Sequence, residues 1–188
     1  MVAQEQAGPF WTVEQYLSME RCSNVKHEYH RGQVYAMAGG SQAHSQIAVN
    51  VCSLLRASVR GSGCRALNSD IKIRQSLEDY VYADAVVTCD ERDMAPGQDW
   101  IDFPELVVEV LSKSTAQHDR GDKFDGYRQI VSLREYVLID YRRRAIAVWR
   151  RDDAGAWTDV TYGPDGDITL TSLDLTLPVD LIYEDSGL

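Results

Sequence analysis

Two short stretches decide how this chain is read: YVYADAVVT at residues 80–88 and ELVVEVLS at residues 105–112. Both are dense in β-branched, aromatic and other apolar residues, the composition of strands. Both are largely apolar on their two alternating faces, the pattern of strands covered on both sides. In the first, Tyr82, Asp84 and Val86 fall on one face and Ala83, Ala85 and Val87 on the other. In the second, Leu106, Val108 and Val110 share a face opposite Val107, Glu109 and Leu111. Within each stretch one carboxylate, Asp84 or Glu109, therefore interrupts an apolar run; Glu105 only opens the second. A buried carboxylate without a partner is strongly destabilising, so each acid calls for a basic side chain or a metal ion. The two acids lie 25 positions apart, separated by one polar loop with Pro96-Gly97 in it. If the strands are neighbours, both carboxylates reach the same ion. Oxygen ligands of this kind suit Mg²⁺ (or Mn²⁺), which would polarise a phosphate and activate a water there.

Outward from this pair, the pattern predicts a short amphipathic helix over 11–19, with Thr12 as N-cap and Gln15 completing a capping box. It predicts a hairpin over 26–37 turning at Arg31-Gly32. The longest helix is expected over 42–59, where Ile47, Val51, Leu54, Leu55 and Val59 recur at helical spacing before Gly61-Ser62-Gly63. A strand over 64–74 follows, and another over 81–88. Downstream, a helix over 119–130 precedes strands over 134–140, 145–150, 157–162 and 168–170. This order predicts an α/β fold, a mixed central sheet flanked by helices. At 188 residues, a single domain over 1–188 is expected.

The chain carries 19 Lys and Arg against 29 Asp and Glu, a net charge of −10. Such a balance argues against a general nucleic-acid-binding module, which presents a basic face. It predicts weak or salt-sensitive binding to DNA unless the arginines cluster. No basic helix suited to reading bases is present. Walker, Rossmann, H-E-x-x-H and nucleophile-elbow motifs are absent. Cys22, Cys52, Cys64 and Cys89 form no C-x-x-C pair; they read as reduced thiols, without structural zinc. No apolar run approaches the roughly 18 residues that span a membrane, and residues 1–10 lack a signal-peptide pattern. A cytoplasmic location is the resulting expectation.

Only four lysines are available: Lys26, Lys72, Lys113 and Lys123. Lys72 shares a strand face with Asp70 and Arg74 and reads as part of a solvated, internally paired face. Lys123 follows Asp119 by four residues, the spacing of a surface helical pair. Lys113 lies just past the second strand and reads as solvated. Glu28 shares a face with His30 while His27 points away, so three-way ligation there is not expected. His44 stands near the start of the longest helix, where a helix N-terminus favours anions, and also reads as a capping or surface residue.

Five segments now stand in a specific order and spacing: KHEYHRGQVYAMAGGSQAHSQI, NSDIKIR, YADAVV, FPELVVEVLSKST and DRGDKFDGYRQIVSLREYVLID. On them, the chain from about Phe10 to Arg150 resembles the Uma-two family of endonucleases in the PD-(D/E)xK superfamily. The resemblance implies a restriction-endonuclease-like fold and Mg²⁺-dependent hydrolysis of phosphodiester bonds in DNA. It implies metal ligands at Asp84 and Glu109, with Glu28 and Lys123 beside them in the catalytic set. Asp70 and His44 fall on further positions of the family pattern. The superfamily motif has Pro where this chain has Ala83, and Lys where it has Leu111; Lys123, on the following helix, matches the family's substitute for that lysine. The family commonly has Pro at the place of Lys113. The missing in-line lysine and the acidic charge motivate an alternative, a non-catalytic interaction or regulatory module of the same fold. Either reading allows a homodimer, with Trp149 and Trp157 in the core or at the dimer contact.

Overall fold

The computed structural model describes residues 10–112 and 115–188; Lys113 lies outside the described residues. The first helix, α1 (Val13–Cys22), begins at Thr12. The Thr12 hydroxyl accepts from the Gln15 N–H at 3.2 Å, and the Gln15 side chain accepts from the Thr12 N–H at 2.8 Å. β1 (His27–His30) and β2 (Gln33–Ala36) form the hairpin. Its turn holds Arg31 at φ 44° and Gly32 at φ 88°, the two positive φ angles that a tight two-residue hairpin requires. α2 (Gln42–Ser58) is capped by Ser41 and buries Ile47, Val51 and Leu55.

The strands that follow are β3 (Arg65–Asn68), β4 (Lys72–Ser76), β5 (Asp79–Tyr82), β6 (Ala85–Thr88), β7 (Trp100–Ile101) and β8 (Pro104–Leu111). Two short helices come next, α3 (Ala116–Arg120) and α4 (Asp122–Tyr127). The chain closes with β9 (Glu135–Asp140), β10 (Ala145–Arg151), β11 (Trp157–Tyr162), β12 (Asp167–Leu170), β13 (Leu175–Pro178) and α5 (Val179–Tyr183). A six-stranded sheet runs β11-β10-β9-β8-β6-β3 and a five-stranded sheet β2-β1-β5-β4-β7; β12 and β13 form a separate ribbon. Both larger sheets are mixed, with β8–β9 parallel in one and β4–β7 parallel in the other.

On one face of the six-stranded sheet, Val87, Val108 and Ile139 pack with Ile47, Val51 and Leu55 of α2 and Ile182 of α5. On the other face, Val86, Val107, Tyr136 and Leu138 pack with Phe124 and Tyr127 of α4 and with Ile73 and Val81 of the five-stranded sheet. Beyond that sheet, Tyr16 of α1 stacks on Tyr29, with Tyr80 alongside. The gap between the two sheets therefore receives α4 and the odd-numbered side of β8, the side that carries Glu109.

Three sequence expectations are corrected. The stretches 64–74 and 81–88 are each two strands, β3 and β4, and β5 and β6, whose halves enter different sheets. Alternation has the same period in a strand that stays in one sheet and in one that crosses to another, so the pattern does not mark the crossing. Asp84 consequently sits in the bend between β5 and β6, not inside a strand. The helix over 119–130 is broken at Gly121, where φ is −114° and ψ −110°. Finally, Cys64 and Cys89 are joined by a disulfide, while Cys22 and Cys52 are free. Arg65 pairs with Thr88 in the β3–β6 ladder, so the two cysteines face each other one position further along, Cα atoms 4.1 Å apart. That proximity depends on register between segments 25 residues apart, which cysteine spacing does not reveal. Trp149 and Trp157 both pack on Phe124, with ring centres 5.0 and 5.5 Å away. Among the described residues, no helix is long and apolar enough to cross a membrane.

Candidate active site

Crossing between sheets gives Asp84 its place. Its backbone N–H donates to the Val108 carbonyl at 3.1 Å, and its carboxylate Oδ2 accepts from the Val110 N–H at 2.7 Å. Asp84 is thus fastened to the β8 backbone on both sides of Glu109. The β6–β8 register, which pairs Ala85 with Val108, sets Asp84 opposite Glu109 one step further. From the first turn of α2, His44 Nε2 comes within 3.4 Å of Asp84 Oδ2. The hydrogen bond to Asp84 raises the His44 pKa above 6.5 against the opposing effect of burial, and the Val110 carbonyl adds to the rise.

Lys123 organises the other half. It is only 6% exposed. Its ammonium donates to the Tyr82 carbonyl at 2.7 Å and lies 2.9 Å from Glu109 Oε1, 3.1 Å from Glu28 Oε1 and 4.0 Å from Asp119 Oδ1. Glu28 is held in turn by the Tyr82 N–H, at 3.1 Å. Glu109 also accepts from the Tyr127 hydroxyl at 3.1 Å. The expected surface lysine is therefore buried, because α4 enters the gap between the sheets instead of lying over the outside. Asp119 and Tyr127, four residues to either side, point inward with it.

One lysine and one histidine face four acids: Asp84, Glu109, Glu28 and Asp119. Burial pushes the Glu109 pKa well up; Lys123 opposes this, and Asp119 and Asp84 reinforce it. Burial raises the Asp119 pKa as well. For Lys123, burial disfavours the charge, but Glu109, Glu28 and Asp119 together outweigh it and hold the ammonium above the ordinary lysine value. The cluster holds more acids than cations, and a divalent cation would favour their ionised forms.

The donor set fits such an ion in kind. Mg²⁺ is commonly held by only one or two carboxylates and keeps several waters, and Asp84 and Glu109 supply two hard oxygen ligands from facing positions. Among the described residues, no group of three His, Cys, Asp or Glu side chains closes on a common point, so backbone oxygens or waters would complete the shell.

The structure thus brings Asp84, Glu109, Lys123, Glu28 and His44 together. It leaves Asp70 and Lys72 apart. Asp70 pairs with Lys26 at 2.5 Å, which with Asn68 keeps its pKa below the usual value. Lys72 is not on a solvated face: it is 7% exposed and lines an open cleft with Glu20, Lys26, Asp70 and Asp99. Its Nζ lies 5.7 Å from the Tyr82 ring centre, and burial pushes its pKa down. Arg74 bonds Asp102 at 2.6 Å. The sequence reading missed the inward turn of Asp119 and Tyr127; their i, i+4 spacing about Lys123 was the available signal. It also missed Glu135, a buried acid met by Arg150 at 2.9 Å and by the Thr171 and Ser172 N–H groups at 3.0 Å each. These bonds fix Glu135 to the β12–β13 ribbon's connection, away from the cluster.

A mixed sheet flanked by helices, with acids and a lysine gathered where a crossing strand meets β8, defines an α/β domain of restriction-endonuclease-like fold. The chain belongs to the Uma2 family, described as "Putative restriction endonuclease", which it matches over residues 13–181. It is 39% identical over 186 residues to "Uncharacterized protein slr1290" of Synechocystis sp., covering 97% of each chain. A second Synechocystis protein, sll1609, is 33% identical over 131 residues, 69% of this chain and 74% of that one. Among solved structures, "a putative nuclease belonging to DUF820" from Anabaena variabilis superposes with a TM-score of 0.75 at 17% identity, covering 92% of this chain and 97% of that one.

Proposed function

We propose that this protein is a metal-dependent endonuclease that hydrolyses phosphodiester bonds in DNA. The observation that carries the reading is the convergence of Asp84, Glu109, Glu28 and Lys123 at one crossing between sheets. Asp84 and Glu109 would hold Mg²⁺ (or Mn²⁺), which when bound polarises the phosphate and lowers the pKa of a water. Lys123 sets a fixed positive charge beside these acids, where negative charge develops on the reacting phosphate, and positions the attacking water. Glu28 and Tyr127 restrain Lys123 and Glu109, and His44 restrains the Asp84 carboxylate. In this reading the chain works as one domain in the cytoplasm, as a homodimer that presents one site to each strand, and its acidic surface makes DNA binding salt-sensitive.

The test is cleavage of supercoiled and single-stranded DNA at low salt with Mg²⁺, Mn²⁺ or EDTA, comparing wild type with Asp84→Ala. Metal-dependent nicking that disappears in a folded Asp84→Ala protein is expected. Cleavage retained by the variant, or none by wild type with either metal, overturns the assignment. One observation favours a second reading, a non-catalytic module: Glu109 Oε1 is already engaged by Lys123 and Tyr127. A Mn²⁺ titration separates the two, since a module without a metal centre leaves Mn²⁺ unbound.

A further inference from the structure

Cations are scarce in this chain, and most described arginines are committed to a carboxylate, as in Arg21–Asp99, Arg74–Asp102, Arg92–Asp90, Arg144–Asp180 and Arg150–Glu135. Among the described residues five exposed arginines form no ion pair: Arg31, Arg143 and three that come together. Arg56, in the last turn of α2, Arg60, two residues past the end of that helix, and Arg65, at the start of β3, line a single recess of about 120 Å³. Val59, Gly61, Cys64 and Ala66 complete its lining, and no acid contributes. Among the described residues none of the three forms an ion pair. A cation in the last turn of a helix complements its dipole, which accounts for Arg56; Arg60 lies past the helix end. Arg65 stands on a strand and has no such role.

The recess is held in shape. The Ser62 N–H and hydroxyl both donate to the Val59 carbonyl, at 3.1 and 2.8 Å, and the Cys64 N–H donates to the Ser62 hydroxyl at 3.2 Å. Gly61 and Gly63 take φ values of 80° and 87° that let this turn close. The Cys64–Cys89 disulfide anchors the residue before Arg65. Guanidinium groups carried by a turn of fixed shape around a recess suit phosphate oxygens, which they bind with planar, forked geometry.

Two elements relate the recess to the candidate site. α2 carries His44 at one end and Arg56 twelve residues on, about 18 Å at ~1.5 Å per residue. β6 begins one residue after Asp84 and ends at Thr88, the partner of Arg65; the four residues from Asp84 to Thr88 span about 13 Å at ~3.3 Å per residue. Successive phosphates of one DNA strand are spaced by about 3.4 Å along the helix axis. We propose that Arg56, Arg60 and Arg65 form a phosphate-binding patch that grips the nucleic-acid backbone about four to five nucleotides from the scissile bond. This rests on the nuclease reading and adds to it where the substrate strand is held.

The experiment is a salt titration of wild type against labelled single- and double-stranded DNA in EDTA, followed by fluorescence anisotropy. Beside it run Arg56→Gln/Arg60→Gln/Arg65→Gln, the corresponding Lys trio, and the control Arg128→Gln/Arg134→Gln/Arg142→Gln. The slope of log affinity against log salt should fall by roughly 2–3 in the Gln trio, at ~0.9 per phosphate contact, with at least a tenfold loss of affinity at low salt. The Lys trio should recover most of the slope, and the control trio should change it by less than about one contact's worth. An unchanged slope in the Gln trio, an equal fall in the control trio, no DNA binding by wild type, or binding only to anionic lipid vesicles overturns the patch. Wild type that binds through the trio yet cuts nothing with Mg²⁺ or Mn²⁺ leaves the patch standing and overturns the nuclease reading instead.

Discussion

Lys123 Nζ lies 2.9 Å from Glu109 Oε1, although one residue comes from α4 and the other from the middle of β8. Both are almost wholly buried, so removing either partner strands the other's charge. Lys123→Met leaves Glu109, Glu28 and Asp119 without their cation, and should cost about 3–5 kcal/mol of stability in urea denaturation. Combining it with Glu109→Gln should cost less than the sum of the single changes. Strictly additive losses would show that the two residues are not coupled.

Glu135 is a buried acid of another kind, satisfied by Arg150 and by the backbone of Thr171 and Ser172. Glu135→Ala should lose about 3 kcal/mol, because it leaves Arg150 and two backbone donors unmatched. Metal-dependent cleavage per folded molecule should be unchanged. Glu109→Gln should give the opposite result, abolishing cleavage in a protein that still folds. A nicking assay normalised to folded protein, run on both variants, checks the contrast.

The disulfide between Cys64 and Cys89 closes a loop of about 25 residues. Removing such a link costs about 3 kcal/mol through the unfolded chain's entropy. Cys64→Ser and reduction of wild type should therefore lower the melting temperature alike, and reductant should have no further effect on the variant. A melting temperature for wild type that is insensitive to reductant would show that the bond does not stabilise the fold.

Lys72 gives a pH signature. Burial lowers its pKa in the folded protein relative to 10.5, so over the alkaline window between the two values the unfolded chain binds the extra proton. Stability rises with pH wherever the unfolded state holds more protons. Below that window the cost of burying the charge is fully present, and above 10.5 it is gone. Wild type should gain stability relative to Lys72→Met as pH rises from neutral towards 10.5, measured by denaturation at a series of pH values. Parallel curves for the two proteins would mean that Lys72 keeps its ordinary pKa.

Much of this was legible in residue pattern. The Thr12 capping box, the Arg31-Gly32 turn and the α2 core stripe are local devices, and each forms where its residues stand. Asp84 and Glu109 stood out because each is a charge in an apolar run, and the adjacency of β6 and β8 makes them neighbours. Lys123 was expected on the surface because Asp119, four residues earlier, offers it a helical partner; only the second sheet, far away in sequence, encloses it. Lys72 deceived in the same way, since α1 and the cleft wall that cover it lie outside its strand. Register and sheet membership decided the rest. The Cys64–Cys89 bond, the split of two apparent strands at residues 69–71 and 83–84, and the closing β13 and α5 follow from how distant segments meet.

The bend at Ala83–Asp84 has a mechanical consequence. One chain serves the five-stranded sheet up to Tyr82 and the six-stranded sheet from Ala85 onward. Lys123 grips the last residue of the first, through the Tyr82 carbonyl, and the facing acid of the second, through Glu109. Any tilt of one sheet against the other is thereby geared to the separation of Glu28 from Glu109. Repacking of the Tyr16–Tyr29 stack, whose Tyr29 follows Glu28 in β1, then becomes a lever on the spacing of the acids, and substitutions at Tyr16 should retune the cluster without removing any of its members.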